Sequence, residues 1–167
     1  MSAPVFPSCA GTYVVLLNAA RRRRLTIGRL GALAMREGCY CYVGSAFGPG
    51  GLRARLRHHL GVAHRLHWHV DYLRRVTAPM AVWFSDDTRR QECRWARALG
   101  TLPGASMPLA GFGASDCDCA THLFHFDTAP ALDEFARRLT PATTPRRPLN
   151  EVSVPDNRTA STARPQP

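Results

Sequence analysis

The sequence contains no lysine: all 22 of its basic side chains are arginine. That absence excludes two chemistries. A P-loop needs a lysine on the β- and γ-phosphates, and a Schiff-base enzyme needs a side-chain amine. Acidic residues are also few, 12 against 22, leaving a net charge of +10 and a pI near 10.4 over 167 residues. Such an excess of guanidinium points to a polyanionic partner, because its planar fork pairs bidentately with phosphate. No apolar run approaches the roughly 18 residues that span a bilayer. Met1 to Cys9 has no basic segment followed by an apolar one, so no secretory signal is expected there. Six cysteines are too sparse for a disulfide scaffold and read as reduced thiols, which places the protein in the cytoplasm.

What is present suits a single core, with 45% hydrophobic residues in one domain's length. Residues 1–10 read as a loose lead-in. Residues 12–17, TYVVLL, are β-branched and aromatic and predict a core strand. The basic turn 21–24 leads to residues 25–27 as the returning strand of a hairpin, and 33–38 reads as a turn. A third strand is predicted over 40–43, ending in the glycine-rich loop 44–51. From Leu52 the period turns helical, with Leu52, Leu56 and Leu60 four apart. A shorter helix follows over 69–76, a strand over 80–84 and a helix over 88–99. Residues 101–118 form a long polar loop, 122–126 a last strand and 131–139 a last helix. Composition then shifts to Pro, Thr, Ser and Arg, predicting a disordered tail over 141–167. The expected fold class is α/β: a small mixed, largely antiparallel sheet flanked by helices, with the domain at 11–140. Residues 1–140 hold 18 arginines against 10 acids, so the basic character belongs to the folded part.

Two helices carry more than packing. On a helical wheel the leucines of 52–60 fall within about 80° of one another. Arg53 and Arg57 flank one side of that stripe, and Arg55 and His59 the other. An arginine and a histidine one turn apart, at a loop-to-helix junction, read either as a solvated basic flank or as a phosphate-binding and proton-transfer station. In the 88–99 helix Glu92 lies in the middle of the apolar stripe made by Trp95, Ala96 and Leu99, while Arg90, Arg94 and Arg97 take the opposite face. A carboxylate on a buried face needs an ion pair, hydrogen bonds or a metal. The wheel leaves two readings open, a structural ion pair or a glutamate for a hard, oxygen-preferring cation.

Gly11-Thr12-Tyr13 opens one strand and Tyr42-Val43-Gly44 ends another. Around them stand Gly38-Cys39-Tyr40-Cys41, Gly48-Pro49-Gly50-Gly51-Leu52, Leu66-His67-Trp68-His69-Val70-Asp71 and Gly111-Phe112-Gly113-Ala114-Ser115-Asp116-Cys117. This pattern, running from Gly11 to about Phe126, resembles the GIY-YIG nuclease superfamily, and within it the compact stand-alone Uri-type endonucleases. The resemblance implies a divalent-metal-dependent endonuclease acting on nucleic acid, DNA ahead of RNA. It implies catalytic roles for Tyr13, Tyr42, Arg55, His59 and Glu92, with Glu92 holding a single Mg²⁺ or Mn²⁺. Tyr13, made more acidic by nearby cations, would take the proton of the attacking water, Tyr42 and His59 would position and relay, and Arg55 would neutralise the phosphate. Arg53, Arg57, Arg90, Arg94 and Arg97 are the candidate nucleic-acid contacts. Thr12 and Val43 replace the usual isoleucines, and Ser45 stands where many members carry a lysine.

Two further groups have competing readings. His67-x-His69, Cys117-x-Cys119 and His122 offer soft ligands for zinc, but one-residue spacing departs from the usual C-x₂₋₄-C, and the histidines with Asp71 read as loop anchors. Trp68, Tyr72, Trp83 and Trp95 could stack bases, yet their helical and strand spacing reads as core. The rival to an enzyme is a nucleic-acid-binding module that keeps the fold without turnover.

Overall fold

The apolar run at the front of the chain becomes β1 (Gly11–Ala19), a strand buried along nearly its whole length. Its neighbours explain why. β4 (Gly38–Ala46) pairs with it on one edge and β5 (Ala78–Ser85) on the other, both antiparallel. β6 (Leu123–Phe126) extends the sheet beyond β4, and β7 (Asn150–Ser153) extends it beyond β5. The result is a five-stranded antiparallel sheet ordered β6-β4-β1-β5-β7. These statements come from a computed structural model that describes residues 4–61, 65–139 and 148–155.

Because side chains alternate along a strand, β1 feeds two cores. Tyr13, Val15 and Leu17 face α1 (Gly51–Leu60) and α2 (His69–Arg74), meeting Leu52, Leu56, Val70 and Leu73. Val14 and Leu16 face α3 (Glu92–Gly100) and α4 (Leu132–Leu139), meeting Trp95, Leu99, Phe135 and Leu139. The protein is thus a mixed α/β domain with helices on both faces of one sheet, the expected fold class. Each fully buried side chain of this size contributes about 1.5–3 kcal/mol. Trp83 and Trp95 are buried core residues, not stacking platforms. Among the described residues no helix is long and apolar enough to cross a membrane.

Several local expectations are corrected. β2 (Arg23–Ile27) does not return along β1; it pairs with β3 (Gly31–Met35) in a separate two-stranded sheet. The segment read as a turn therefore contains a strand, whose Leu33 and Met35 reach the α1 side of the core. β1 has no room for β2, since β4 and β5 occupy both its edges. α3 begins at Glu92, not near residue 88. The lead-in is packed: Phe6 is 1% exposed and meets Phe84 edge-to-face, with ring centroids 5.8 Å apart. The carbonyls of Pro7 and Cys9 accept hydrogen bonds from the Arg53 and Leu52 amides at the start of α1.

The segment expected as a disordered tail supplies β7. Its Glu151 accepts a 2.8 Å hydrogen bond from the Trp83 indole, a donor that needs a partner once buried, and Val152 packs on the core. The rest of that expectation, at 141–147 and 156–167, lies outside the described residues, as do residues 1–3 of the lead-in.

Phe6→Ala should cost about 3–5 kcal/mol in denaturant unfolding, since it empties a buried aromatic site. A midpoint unchanged from wild type would show that the N-terminal segment is not part of the core.

Candidate functional site

The register of β1 and β4 sets Tyr13 opposite Gly44. The Tyr13 ring lies across that glycine so closely that a β-carbon at position 44 would overlap the phenol oxygen and ring. The glycine of the second motif is therefore there to make room for the tyrosine of the first. Tyr42 projects from the same face of β4, and its ring meets His59 and Phe112 edge-on, each with centroids 5.9 Å apart.

α1 delivers the other half. Tyr13 Oη and His59 Nε2 lie 2.8 Å apart and share a buried hydrogen bond. His59 is 1% exposed, and its Nδ1 is buried without a hydrogen-bond partner among the described residues. Burial holds its pKa down to about 3, and the charges of Arg55 and His58 press the same way, so the imidazole is neutral near pH 7. Arg74 fixes the end of this helix by donating to the His59 and Leu60 carbonyls at 2.6 and 2.9 Å. One turn before His59, the Arg55 guanidinium sits 4.4 Å over the Trp68 ring, a cation–π contact.

Burial also pushes the Tyr13 phenol well above its usual value, Tyr42 adds to the rise, and the opposing pull of Arg55 is smaller. Tyr42 is raised chiefly by burial as well. The expectation that neighbouring cations make Tyr13 more acidic is thus reversed in the free protein: desolvation outweighs Arg55.

Tyr13, Tyr42, Arg55 and Glu92 line one open cleft of about 400 Å³, with Ser45, Phe47, His67, Trp68, Arg90, Asp116 and His122 completing its wall. Glu92, at the first turn of α3, has a side chain 16% exposed and an Arg90 nitrogen 3.5 Å away. Arg90 also reaches the Ser45 hydroxyl at 3.4 Å and lies over the Phe47 ring at 4.9 Å. Four of the five predicted catalytic residues share the cleft wall, and the fifth, His59, stands directly behind Tyr13.

The model of the family described as "Domain of unknown function DUF123" matches residues 12–144. The chain belongs to this family. No curated protein and no solved structure matches it.

In this DUF123 domain the predicted nucleic-acid arginines separate. Of the five, Arg90 is the one that lines the cleft. Arg53 donates through Nε to the Phe6 carbonyl, and Arg94 donates to the Gln91 side chain and to the Leu139 carbonyl at the end of α4. Arg57 and Arg97 are exposed on other faces. The start of α1 is not an anion site either, because the Gly51, Leu52 and Arg53 amides already donate to Gly48, Cys9 and Pro7.

Among the described residues, two groups of side chains could hold a metal ion, and Glu92 belongs to neither. One is His58, His59 and Asp71. Its carboxylate is already engaged, accepting from the His67 and Trp68 amides at 2.8 and 2.9 Å and pairing with His58 at 3.0 Å. Burial alone would raise Asp71, but those bonds hold its pKa below the ordinary value. The other group is Cys93, Cys117, Cys119 and His122. The zinc reading of the sequence had paired the last three with His67 and His69. Instead His67 lines the cleft, and His69 accepts a hydrogen bond from the Gly113 amide at 3.0 Å, anchoring the loop. Trp68 and Asp116 stand in the quoted motifs but were given no site role there, and Cys93 was not singled out at all; its adjacency to Glu92 is the one signal that could have found it.

His59 predicts the acid stability of the domain. Unfolded, it takes a proton near pH 6.5; folded, only near 3. Between those values the unfolded state binds the extra proton, so this contribution is complete above pH 6.5 and is lost as pH falls toward 3. The slope reaches about 1.4 kcal/mol per pH unit. Denaturant titrations of His59→Gln between pH 6.5 and 4.5 should show a slope shallower than wild type by up to that amount. Parallel curves would mean that His59 is not held neutral by the fold.

Gly44→Ala should leave far-UV circular dichroism near wild type while displacing the Tyr13 ring. Loss of the Tyr13–His59 contact in a variant structure checks it, and an undisturbed ring would contradict it.

Proposed function

We propose that this DUF123 domain is a divalent-metal-dependent endonuclease of the GIY-YIG nuclease superfamily, in its Uri-type branch, hydrolysing phosphodiester bonds in nucleic acid, DNA ahead of RNA. The observation that carries the reading is the buried Tyr13–His59 hydrogen bond opening, with Arg55 and Glu92, onto a single cleft. Phosphodiester hydrolysis needs a proton acceptor for water, positive charge on the phosphate and a stabilised leaving oxygen. Those requirements fall on separate walls of this cleft.

The donor set at Glu92 is hard oxygen, with one carboxylate on the helix and Asp116 elsewhere on the cleft wall. This fits Mg²⁺ or Mn²⁺, which bind through one or two carboxylates and keep room for water and phosphate oxygens. A bound ion would supply Lewis-acid stabilisation to the leaving oxygen.

The remaining chemistry belongs to the chain. Arg55, half-buried and steadied on Trp68, pairs with the non-bridging oxygens. Arg90, beside Ser45, supplies the cation that a lysine at that position provides in many superfamily members. Water attacks phosphorus as its proton passes to Tyr13 Oη and the proton of Tyr13 passes to His59 Nε2; the bond from phosphorus to the 3′ oxygen breaks, and that oxygen keeps the electron pair and takes a proton from solvent in the open cleft. His59 is a poor acceptor in the free protein, partly because Arg55 faces it. A phosphate paired with Arg55 offsets that field, so the substrate itself raises the proton affinity of the base behind Tyr13.

The purified chain, offered plasmid, branched and single-stranded DNA with Mg²⁺ or Mn²⁺, should cut at least one of them. Tyr13→Phe and Arg55→Ala should each lower the rate by about 10²–10³, and Glu92→Ala should cut at background. If the wild type cuts nothing, or Glu92→Ala cuts as fast as wild type, the domain is not this nuclease. Steeply salt-dependent binding without turnover would instead identify a nucleic-acid-binding module.

A further inference from the structure

Cys93 stands in the first turn of α3, Cys117 and Cys119 lie in the loop that precedes β6, and His122 ends that loop. Distant in sequence, their four donor atoms all lie within 4.8 Å of one another, and Cys117 Sγ is 3.4 Å from His122 Nε2. All four cysteine and histidine side chains are partly or fully buried, and none of the cysteines is in a disulfide. Zinc–sulfur bonds of about 2.3 Å and zinc–nitrogen bonds of about 2.0–2.1 Å put tetrahedral donor pairs about 3.6–3.8 Å apart. The cluster therefore has the size of the shell around one ion. Three thiolates and an imidazole select a borderline-soft metal over magnesium or calcium.

We infer that Cys93, Cys117, Cys119 and His122 bind one zinc ion in a closed, structural site. Four protein ligands leave no open position for water, which separates this ion from the one proposed at Glu92. The site ties the first turn of α3 to the loop before β6. Backbone bonds hold that loop to the sheet and to itself, among them the His122 amide on the Phe112 carbonyl, at 2.7 Å, the Gly111 amide on the Ala120 carbonyl, at 2.7 Å, and the Val43 amide on the His122 carbonyl, at 2.9 Å, but none of these reaches α3. Glu92 precedes one ligand in the chain and Asp116 precedes another. The zinc thus fixes the spacing of two carboxylates across the cleft without entering it. Zinc binding at this site does not depend on the nuclease reading, and it is detectable in a protein that cuts nothing.

The full chain, expressed with zinc and freed of loose metal by gel filtration, should carry about one zinc per molecule by elemental analysis. Replacing zinc with Co²⁺ should give the thiolate-to-cobalt charge-transfer band and the intense visible bands of a tetrahedral site. Cys117→Ser should lose most of the zinc. His122→Cys, which restores four ligands, should keep it and shift the cobalt spectrum toward a four-thiolate site. Glu92→Ala should retain one zinc, so that loss of metal and loss of cutting are read separately. Stripping zinc with a strong chelator should lower Tm by roughly 5 °C or more. Wild-type protein with less than a tenth of an equivalent of zinc and no cobalt spectrum would overturn the inference. So would a disulfide among these cysteines in freshly purified protein, or loss of the zinc in Glu92→Ala.

Discussion

The pairing of β1 with β4 fixes everything around it, because its register decides which side chain lies across Gly44. A slip of one residue would turn every side chain of β1 to the opposite core. Tyr13 would then face Trp95 and Phe135, and Val14 would face α1. The present register is held from both edges and both faces, by β4 and β5 and by the two helical layers. The Tyr13–His59 contact is the chemical product of that constraint. It joins the most enclosed strand of the sheet to the helix whose end Arg74 secures.

Burial gives this arrangement its chemical character. A phenol and an imidazole in water titrate three to four pH units apart; here desolvation drives the phenol up and the imidazole down. Both groups stay uncharged in the resting protein, which makes the enclosed pair tolerable to the fold. The cleft wall in front of the pair carries charge, on Arg55, Arg90, Glu92 and Asp116. Under the proposed chemistry, a hydrogen-bonded interior behind a charged mouth would exclude water where the proton moves and admit it where phosphate enters.

Much of this was legible in the chain. β1 announced itself because both of its faces are buried and its sequence is apolar at nearly every position. The wheel placed Arg55 and His59 on one edge of α1, and the structure uses that edge. Glu92, a carboxylate in the middle of an apolar stripe, marked the cleft wall. What escaped depended on tertiary contact. β3 has alanine at alternate positions and resembles a turn until β2 is laid beside it. β7 offers one apolar side chain in four residues and is recognisable only from the needs of Trp83. Cys93 has no cysteine near it in sequence, so no spacing rule could join it to Cys117 and Cys119. The solvated appearance of Arg53 and Arg94 concealed one carbonyl apiece, Phe6 for the first and Leu139 for the second, that their guanidinium groups satisfy.

The ion pair at the rim has a consequence for how ligands would arrive. Glu92 and Arg90 lie 3.5 Å apart, with the arginine side chain 61% exposed, so each is the other's counter-ion at little energetic depth. Under the proposed chemistry the carboxylate is wanted by a cation and the guanidinium by an anion. Whichever ligand enters first releases the opposite charge for the second, and thermodynamic linkage makes the benefit mutual. On that proposal the mouth of the cleft would act as an exchanger, with Glu92 and Arg90 paired at rest and metal and phosphate each promoting the other's binding.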